Sequence, residues 1–469
     1  MADRVVLAFG HRQYRRADLD SMADRMAAEL RRRGVVPGDR VALMSSNRPE
    51  FVVAVLAIWR LGGSVVLLSP AWKRTEVLHA LNLTAPAAAV GDHEVLADLM
   101  PMLHLDEPVP DGSVQPAPLD GEAVLVFSSG TTGMPKAVRH THRGLRAAVD
   151  QWRAVLGLGD TDRMQIMTPP SHILGLLNIL TALDAGVWQR LHPRFDIDAM
   201  LQHIQDDRVT VEMVVAPMAL ALAAHPGLES YDLSSLRFMM WCATPVTASV
   251  AEEITRRTGV PWLTASGSSE VVLFSCNEIG GNLDTVGKAA PGVQIRIRSV
   301  YSDEVLGAGA EGEIQVRSDA VMAGYVPDTD TATAFEDGWY RSGDIGYLDV
   351  DGRLYITDRA KEMIKVRGFQ VAPAEIESVL LGHPAVADCA AFGIPDAADG
   401  EAVVAAVARA GQVEADELAQ SVAECLASYK HLSKVVFVPE IPRLPSGKVL
   451  RRVLKEQLMS ACAKNVCSV

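Results

Sequence analysis

No apolar stretch in this sequence is long enough to cross a membrane. The longest, residues 51–68, is interrupted by Arg60 and by the Gly62-Gly63 pair, and a spanning helix needs about 20 apolar residues in a row. The apolar run from Val5 to Phe9 is also too short for a signal peptide or an anchor. We therefore expect a cytoplasmic protein without an integral membrane segment.

The sequence also lacks a CxxC pair and an excess of positive charge. Its six cysteines are mostly far apart, which is typical of reduced intracellular thiols. Its 44 basic and 58 acidic side chains leave a net charge of −14, which disfavours binding to nucleic acid. The twelve histidines are dispersed, and His140-x-His142 is interpreted as loop polarity, so we expect no metal cluster. A phosphate-bearing ligand would need local binding groups.

Short apolar runs alternate with helical segments through most of the chain. Arg40 to Met44 reads as a strand, Asn47 is predicted to be the N-cap of the next helix, and Ser64 to Leu68 reads as a second strand. The same rhythm recurs at residues 163–167, 209–215 and 236–241. This pattern predicts an α/β fold with mostly parallel sheets.

The sequence pattern changes near Gly312, where short strands of alternating hydrophobicity are separated by Gly and Asp turns. Strands are predicted at residues 313–317, 339–340, 346–348 and 353–357, which together form a β-rich subdomain. The polar stretch that begins at Asp358 marks a domain boundary, so the expected domains are residues 1–358 and 359–469. In the second, the Ala-rich stretch 402–410 is predicted to be an alternating strand.

The most informative segment is FSSGTTGMPK, residues 127–136, which directly follows an apolar strand. Glycines allow main-chain amides to approach an anion, hydroxyls add donors, and Lys136 adds a mobile charge, so the segment suits a polyphosphate. The Walker pattern requires a Ser or Thr directly after its lysine, and neither follows Lys136. The segment is therefore not a Walker loop. An ordinary Ser/Gly turn remains the alternative for this segment alone.

Residues 128–138, SSGTTGMPKAV, resemble the phosphate-loop signature of the adenylate-forming superfamily. That superfamily includes acyl-CoA synthetases, coumarate-CoA ligase-like enzymes, beetle luciferases and the adenylation domains of peptide synthetases. Ala137 stands where glycine is usual. Further motifs similar to the family's follow in order: TPPSH at 168–172, CATP at 242–245, SGSSE at 266–270, YRSGD at 340–344, DR at 358–359, KVRGFQ at 365–370 and LPSGK at 444–448.

The resemblance implies ATP, Mg²⁺ and CoA as cofactors and a large N-terminal domain followed by a small mobile α+β C-terminal domain. It implies metal binding by Glu270 and Thr132. The implied cofactor-binding residues are Ser128, Ser129, Gly130, Thr131, Thr132, Gly133 and Lys136 in the phosphate loop, Ala243, Thr244, Ser266, Gly267 and Ser269 near adenine and phosphate, Asp344 and Arg359 at the ribose, and Gly368 and Gln370 in the KVRGFQ motif.

Three residues are expected to act in catalysis. Lys448 would place its ammonium between the attacking carboxylate and the α-phosphate, where negative charge grows. His172 would gate the acyl pocket. By resemblance, the C-terminal domain then swings about a hinge at Lys361 and brings Lys365 to the site for attack by a thiol.

The substrate is expected to be a non-amino acid. Relatives that activate amino acids carry an Asp in the pocket motif, whereas His172 occupies the matching position here. Four neighbouring apolar residues would either form a wall of the acyl pocket or belong to the ordinary core. They are Leu174, Leu177, Val271 and Val272. We therefore expect a fatty, aryl or polycyclic acid, which would place the enzyme in fatty acid metabolism. Ser266 replaces a tyrosine that stacks on adenine in many relatives.

The leading hypothesis is an AMP-forming acid-CoA ligase. An alternative enzyme would load the acyl group onto the phosphopantetheine of a carrier protein, and an oxidative, luciferase-like second step is disfavoured. A hypothesis of another class is a degenerate sensor that binds adenylates without catalysis, which Ser266 alone suggests. The carboxylic acid and the oligomeric state are left open.

Overall fold

A computed structural model describes residues 3–128, 135–242, 248–299, 302–359, 364–367, 369–371, 373–396, 398–442, 449, 451, 454–456 and 458. These residues fall into two compact units. The first holds residues 3–70, 80–128 and 136–359, and the second holds residues 71–79, residue 135 and the described residues from 364 onward. Among the described residues, no helix has the length and apolar character that crossing a membrane requires.

Twelve α-helices occur in the described part of the chain. They are α1 Arg16–Arg32, α2 Pro49–Arg60, α3 Arg74–Thr84, α4 Glu94–Ala97, α5 His142–Leu156, α6 Ile173–Ala185, α7 Ile197–Asp207, α8 Ala216–Ala224, α9 Ala248–Thr258, α10 Thr331–Ala334, α11 Pro373–Leu381 and α12 Ala415–Cys425.

Twenty-six strands occur in the same described residues. They are β1 Val5–Phe9, β2 Arg12–Arg15, β3 Arg40–Met44, β4 Ser64–Leu68, β5 Ala88–Gly91, β6 Met102–His104, β7 Glu122–Ser128, β8 Lys136–Thr141, β9 Arg163–Ile166, β10 Trp188–Leu191, β11 Val211–Val214, β12 Phe238–Trp241, β13 Trp262–Ser266, β14 Ser275–Cys276, β15 Lys288–Ala289, β16 Gln294–Arg298, β17 Gly312–Arg317, β18 Gly324–Val326, β19 Phe335–Glu336, β20 Trp339–Leu348, β21 Leu354–Arg359, β22 Ile364–Val366, β23 Phe369–Val371, β24 Val386–Asp396, β25 Gly400–Arg409 and β26 Lys434–Phe437.

The first unit contains two large, mostly parallel sheets. One has seven strands in the order β18-β8-β7-β4-β3-β5-β6, and the other has nine in the order β15-β14-β13-β12-β11-β9-β10-β1-β2. Antiparallel strands lie only at the ends of each sheet, where β8 and β18 continue the first and β2, β14 and β15 continue the second. The central strands are buried, as expected for parallel strands.

The first unit also contains the predicted β-rich region. Strands β16, β17, β20 and β19 form an antiparallel sheet, and β21 pairs with β20. The second unit has one sheet, β23-β22-β25-β24, with β26 parallel to β25, and helices α11 and α12 contribute to its core. In that unit Lys430 is buried and donates to Glu375 at 2.5 Å. The predicted fold class is confirmed.

Four local predictions need correction. Asn47 does not cap α2: the helix begins at Pro49, its N-cap is Arg48, and proline tolerates this position because the first-turn amides have no helical partner. Residues 339–348 form one strand, β20, rather than two. Asp358 and Arg359 belong to β21 and not to a connecting segment. β25 is a strand as predicted, but residues 403–408 are continuously buried instead of alternating.

Candidate active site

The carboxyl ends of several parallel strands meet at one edge of the nine-stranded sheet. Strands β9, β11, β12 and β13 are parallel neighbours, so the segments that follow them leave the sheet on the same side. Residues 168–172 follow β9, Cys242 follows β12, and Ser266 is the last residue of β13. In open α/β sheets this edge is where ligands bind. Three of the sequence motifs therefore converge there.

Asn47 connects this edge to the seven-stranded sheet. It follows β3, the side chain is 2% exposed, and Nδ2 donates to the main-chain oxygen of Thr168 at 3.0 Å and to that of Ile166 at 3.4 Å. Both acceptors lie at the end of β9. The carboxyl ends of strands in both sheets thus face one another within the first unit.

The phosphate loop leaves the seven-stranded sheet between β7 and β8. Ser128 and Lys136 lie opposite each other in this antiparallel pair. The loop positions Ser129, Gly130, Thr131, Thr132 and Gly133 lie outside the described residues. Ala137, where glycine was expected, is completely buried in β8 between Phe127 and Val326, so a methyl group fits there.

Lys136 has two neighbours that the sequence did not indicate. Its Nζ lies 2.7 Å from Oδ2 of Asp330 and 5.6 Å from the centre of the Tyr325 ring. A partly buried lysine over an aromatic face is held by a cation–π interaction. The lysine is therefore directed by its surroundings before any phosphate binds.

The loop that carries Glu270 is closed by its own main chain. A Cβ added at Gly267 would lie 2.1 Å from the main-chain oxygen of Val272, so only glycine fits without a rearrangement. The Ser268 hydroxyl accepts hydrogen bonds from the main-chain N–H groups of Glu270 at 3.2 Å and Val271 at 3.1 Å. This tight turn holds the carboxylate at the end of β13.

His140 holds the same loop from the side of the seven-stranded sheet. The ring is 1% exposed, and Nε2 donates to the main-chain oxygen of Ser269 at 2.8 Å. Burial lowers the pKa of His140, opposed by this hydrogen bond and by the charge of Glu270. A neutral imidazole fits this role. The prediction that His140 contributes only loop polarity is wrong, because it lies in β8 and is buried.

Glu270 is 6% exposed and accepts a hydrogen bond from the Tyr325 hydroxyl at 3.1 Å. Among the described residues, no group of three or more His, Cys, Asp or Glu side chains could hold a metal ion. Mg²⁺ commonly binds through one or two carboxylates, with phosphate and water oxygens completing its octahedron. A single buried carboxylate fits that donor set, and Thr132, the other expected ligand, lies outside the described residues.

Asp344 lies in β20 opposite Arg359 in β21. Asp344 is 8% exposed, and its main-chain N–H donates to the Ser342 hydroxyl, which in turn donates to the carbonyl oxygen of Ile314. The two residues expected at the ribose are therefore neighbours across one strand pair. A fixed main chain at Asp344 suits recognition of two adjacent hydroxyls.

His172 is the N-cap of α6, and its Nδ1 accepts from the Leu174 N–H at 3.3 Å. The residue is exposed to solvent, and partial desolvation lowers the pKa of His172. Helix α6 approaches the preceding loop closely, because a Cβ at Gly175 would meet the Pro169 oxygen at 2.1 Å. Leu174 and Leu177 belong to the main core of the unit.

The remaining predicted residues belong to the second unit or lie outside the description. Lys365 lies in β22 opposite Gln370 in β23, and its main-chain N–H donates to Glu401 at 2.7 Å. Gly368, Lys361, Lys448, Ala243 and Thr244 lie outside the described residues.

Sequence reasoning missed four residues of this region: Asn47, His140, Tyr325 and Asp330. Each contacts a residue more than a hundred positions away along the chain, and Tyr325 also contacts Glu270, 55 positions away. No local pattern marks such contacts. In the sequence, His140 is only one of several polar residues in the segment KAVRHT, and its burial becomes visible in the structure.

Comparisons with known proteins identify the family of this chain. Residues 1–326 match the family model described as AMP-binding enzyme, and residues 375–448 match the AMP-binding enzyme C-terminal domain. The chain belongs to the AMP-binding enzyme family. The identification with the adenylate-forming superfamily is thereby confirmed, and the chain is an enzyme of the AMP-forming ligase class.

Relatives and solved structures extend along nearly the whole chain. The 4-coumarate–CoA ligase 3 of Arabidopsis thaliana is 31% identical, with 98% of this chain and 89% of the relative covered. The o-succinylbenzoate CoA synthetase of Bacillus subtilis, bound with a product analogue, has a TM-score of 0.90 at 30% identity, covering 97% and 95% of the chains. The amide bond synthetase McbA of Marinactinospora thermotolerans has a TM-score of 0.88 at 30% identity, covering 97% of both.

Proposed function

We propose that this enzyme uses ATP to convert a non-amino carboxylic acid into an acyl adenylate and then transfers the acyl group to CoA. One observation carries the proposal. Tyr325 contacts both the phosphate-loop lysine Lys136 and the buried carboxylate Glu270. A cation over the ring and a buried acid at the hydroxyl therefore contact one side chain, next to the carboxyl ends of strands in two mostly parallel sheets. This arrangement suits a nucleoside triphosphate with its divalent cation.

The proposed chemistry needs charge compensation more than proton transfer. The carboxylate of the substrate is already ionised, so it attacks the α-phosphate without a general base. Lys136 binds phosphate oxygens, and Lys448 neutralises the charge that grows in the transition state. Mg²⁺ held by Glu270 would stabilise the departing pyrophosphate. Asp344 accepts hydrogen bonds from the ribose hydroxyls and so fixes the α-phosphate relative to the acid.

A neutral His172 supports an uncharged, apolar acyl group. Because desolvation lowers the pKa of His172 below its ordinary value, the neutral imidazole predominates at neutral pH. It also supplies no negative charge to hold the ammonium of an amino acid. The proposed substrate class is therefore a fatty, aryl or polycyclic acid.

The thiol acceptor is the second part of the proposal. CoA is favoured by similarity to proteins named as CoA ligases or synthetases. In this scheme the C-terminal domain swings about Lys361 and brings Lys365 and Gly368 to the adenylate. A carrier-protein phosphopantetheine remains an alternative thiol, and an amine is a third acceptor because one similar structure is an amide bond synthetase.

Exchange of labelled pyrophosphate into ATP tests the first half-reaction. We expect acid-dependent exchange within a panel of fatty, aryl and polycyclic acids, and hydrocinnamate should be better than phenylalanine, which differs by one amino group. Lys448→Ala should abolish exchange, whereas the matched variant Lys434→Ala, at an exposed position, should not. Absence of exchange with every acid would favour an adenylate-binding sensor.

Product analysis tests the second half-reaction. The enzyme, ATP and an active acid are incubated in parallel with CoA, with a holo carrier protein and with a simple amine. Thioester formed only with CoA is the expected result. Acylation of the carrier protein or of the amine, with no acyl-CoA formed, would replace CoA as the acceptor without affecting the adenylation step.

A further inference from the structure

Two neighbouring tyrosine side chains lie beside Glu270. The Tyr325 hydroxyl donates to Oε1 of Glu270 at 3.1 Å, and Tyr340 is a close neighbour of Tyr325. Tyr325 is 7% exposed and Tyr340 1%. Buried hydroxyls need partners, and a donor bound to a charged acceptor forms one of the stronger hydrogen bonds in proteins.

Both tyrosines are held by the elements that also carry the nucleotide-binding residues. Tyr325 lies in β18, pairs with Val138 of β8, and its N–H donates to the Thr331 hydroxyl at 2.9 Å. Strand β8 begins at Lys136. Tyr340 lies in β20, four residues before Asp344, and its ring packs edge to face on Phe335 at 5.8 Å. The two hydroxyls are therefore fixed relative to both Lys136 and Asp344.

The Tyr325 side chain contacts both charged groups of the site. Nζ of Lys136 lies over its ring, 5.6 Å from the ring centre, and Glu270 accepts a hydrogen bond from its hydroxyl. Because the ring and the hydroxyl belong to one rigid group, the two contacts are fixed relative to each other.

We infer that Tyr325, supported by Tyr340, is a positioning residue that holds Glu270 at the distance from Lys136 needed to bind a divalent cation together with a polyphosphate. The inference rests on the proposed function for the role of Glu270. Neither tyrosine needs to touch the nucleotide.

Conservative variants separate the parts of this arrangement. Tyr325→Phe keeps the ring beneath Lys136 and removes the hydroxyl, Tyr325→Leu removes both, and Tyr340→Phe removes only the support. Tyr347→Phe is the matched control, because Tyr347 lies in the same strand as Tyr340 but stacks on Tyr355 instead.

The first measurement is the affinity for ATP with Mg²⁺ and with EDTA, by equilibrium titration of the full chain. Wild type should bind ATP more tightly with Mg²⁺. Tyr325→Phe should reduce that Mg²⁺-dependent ratio about tenfold, which corresponds to about 1.4 kcal/mol, and leave binding in EDTA within about twofold. Tyr340→Phe should have a smaller effect in the same direction, and Tyr325→Leu should weaken binding in EDTA as well.

The second measurement is the concentration of free Mg²⁺ that half-saturates pyrophosphate exchange, which should rise in Tyr325→Phe and stay unchanged in Tyr347→Phe. If Tyr325→Phe keeps the wild-type Mg²⁺ dependence in both measurements, the positioning role is wrong while the proposed function stands. If wild type shows no exchange but Tyr325→Phe still loses Mg²⁺-dependent binding, the proposed function fails and the positioning role stands. Equal binding of ATP by wild type with and without Mg²⁺ would overturn the inference directly.

Discussion

Nδ2 of Asn47 donates a hydrogen bond to the main-chain oxygen of Thr168 at 3.0 Å, and so connects the carboxyl ends of strands from the two large sheets. Asn47→Ala should lower the free energy of unfolding by about 1–3 kcal/mol, because it leaves a buried carbonyl without its partner. It should also raise KM for the acid severalfold, since residues 168–172 lose a fixed anchor. Denaturant unfolding and pyrophosphate exchange measure the two effects.

Gln189→Leu is the control for Asn47→Ala. Gln189 is also completely buried and donates to a main-chain oxygen, that of Ile179, but it lies in β10. The Gln189→Leu variant should be less stable than wild type but should have an unchanged KM for the acid. A normal KM in Asn47→Ala would mean that the contact serves stability alone.

The ion pair between Lys136 and Asp330 predicts that the aspartate competes with phosphate for the lysine. Asp330→Asn should lower KM for ATP about two- to fivefold, in keeping with the modest strength of partly exposed pairs. The effect should shrink at high salt because such pairs are screened. Asp328→Asn is the control, since that carboxylate lies 3.6 Å from Arg139 instead. A higher KM for ATP in Asp330→Asn would show that Asp330 orients the lysine for phosphate.

Substitution of Gly267 by alanine is expected to reduce activity selectively. In Gly267→Ala the new methyl group would lie 2.1 Å from the Val272 oxygen, so the turn that carries Glu270 must shift. We expect kcat/KM for exchange to fall at least about tenfold, as displacement of a positioned catalytic group typically causes. Gly307→Ala, where no atom lies within 4 Å of the added methyl, should retain full activity. Wild-type kinetics in Gly267→Ala would mean that the turn tolerates the shift.

Substitution of Glu212 by glutamine is expected to have the opposite effect, a gain in stability. It lies completely buried in β11, and desolvation raises its pKa well above the ordinary value, opposed by Gln165 and the main chain of Met213. An acid with a raised pKa in the folded state keeps its proton while the unfolded chain ionises. Folding stability is therefore lost as pH rises above about 4.3 toward the folded pKa.

Glu212→Gln removes this pH dependence because glutamine does not titrate. The difference in unfolding free energy, variant minus wild type, should grow by about 1.4 kcal/mol per pH unit while the folded carboxyl stays protonated. Thermal unfolding at pH 5 and pH 8 measures it. The exposed Glu252→Gln should show no comparable growth. The same difference at both pH values would indicate that Glu212 is ionised in the folded protein.

Local sequence patterns were sufficient for the fold class and for several elements. Strands β3 and β4 begin and end at the predicted residues, because continuous apolar runs bounded by turn residues have few alternatives. The predicted start of helix α2 was wrong because a contact with a distant part of the chain outweighed the local preference of the residue. Asn47 was predicted to cap a helix because asparagine suits that position, but its amide binds two main-chain oxygens about 120 residues away.

The residues of the candidate site fall into the same two groups, those that local patterns predict and those that depend on distant contacts. Lys136, Glu270 and Asp344 were predicted as site residues from motifs, because the chemistry of phosphate, metal and ribose binding demands particular side chains in short segments. Their supports, His140 bound to Ser269 and Tyr325 bound to Glu270, follow from the pairing of strands β8 and β18 and from the turn after β13. Hydrogen bonds across such distances depend on register and burial, which arise only when the sheets assemble, and so no short segment encodes them.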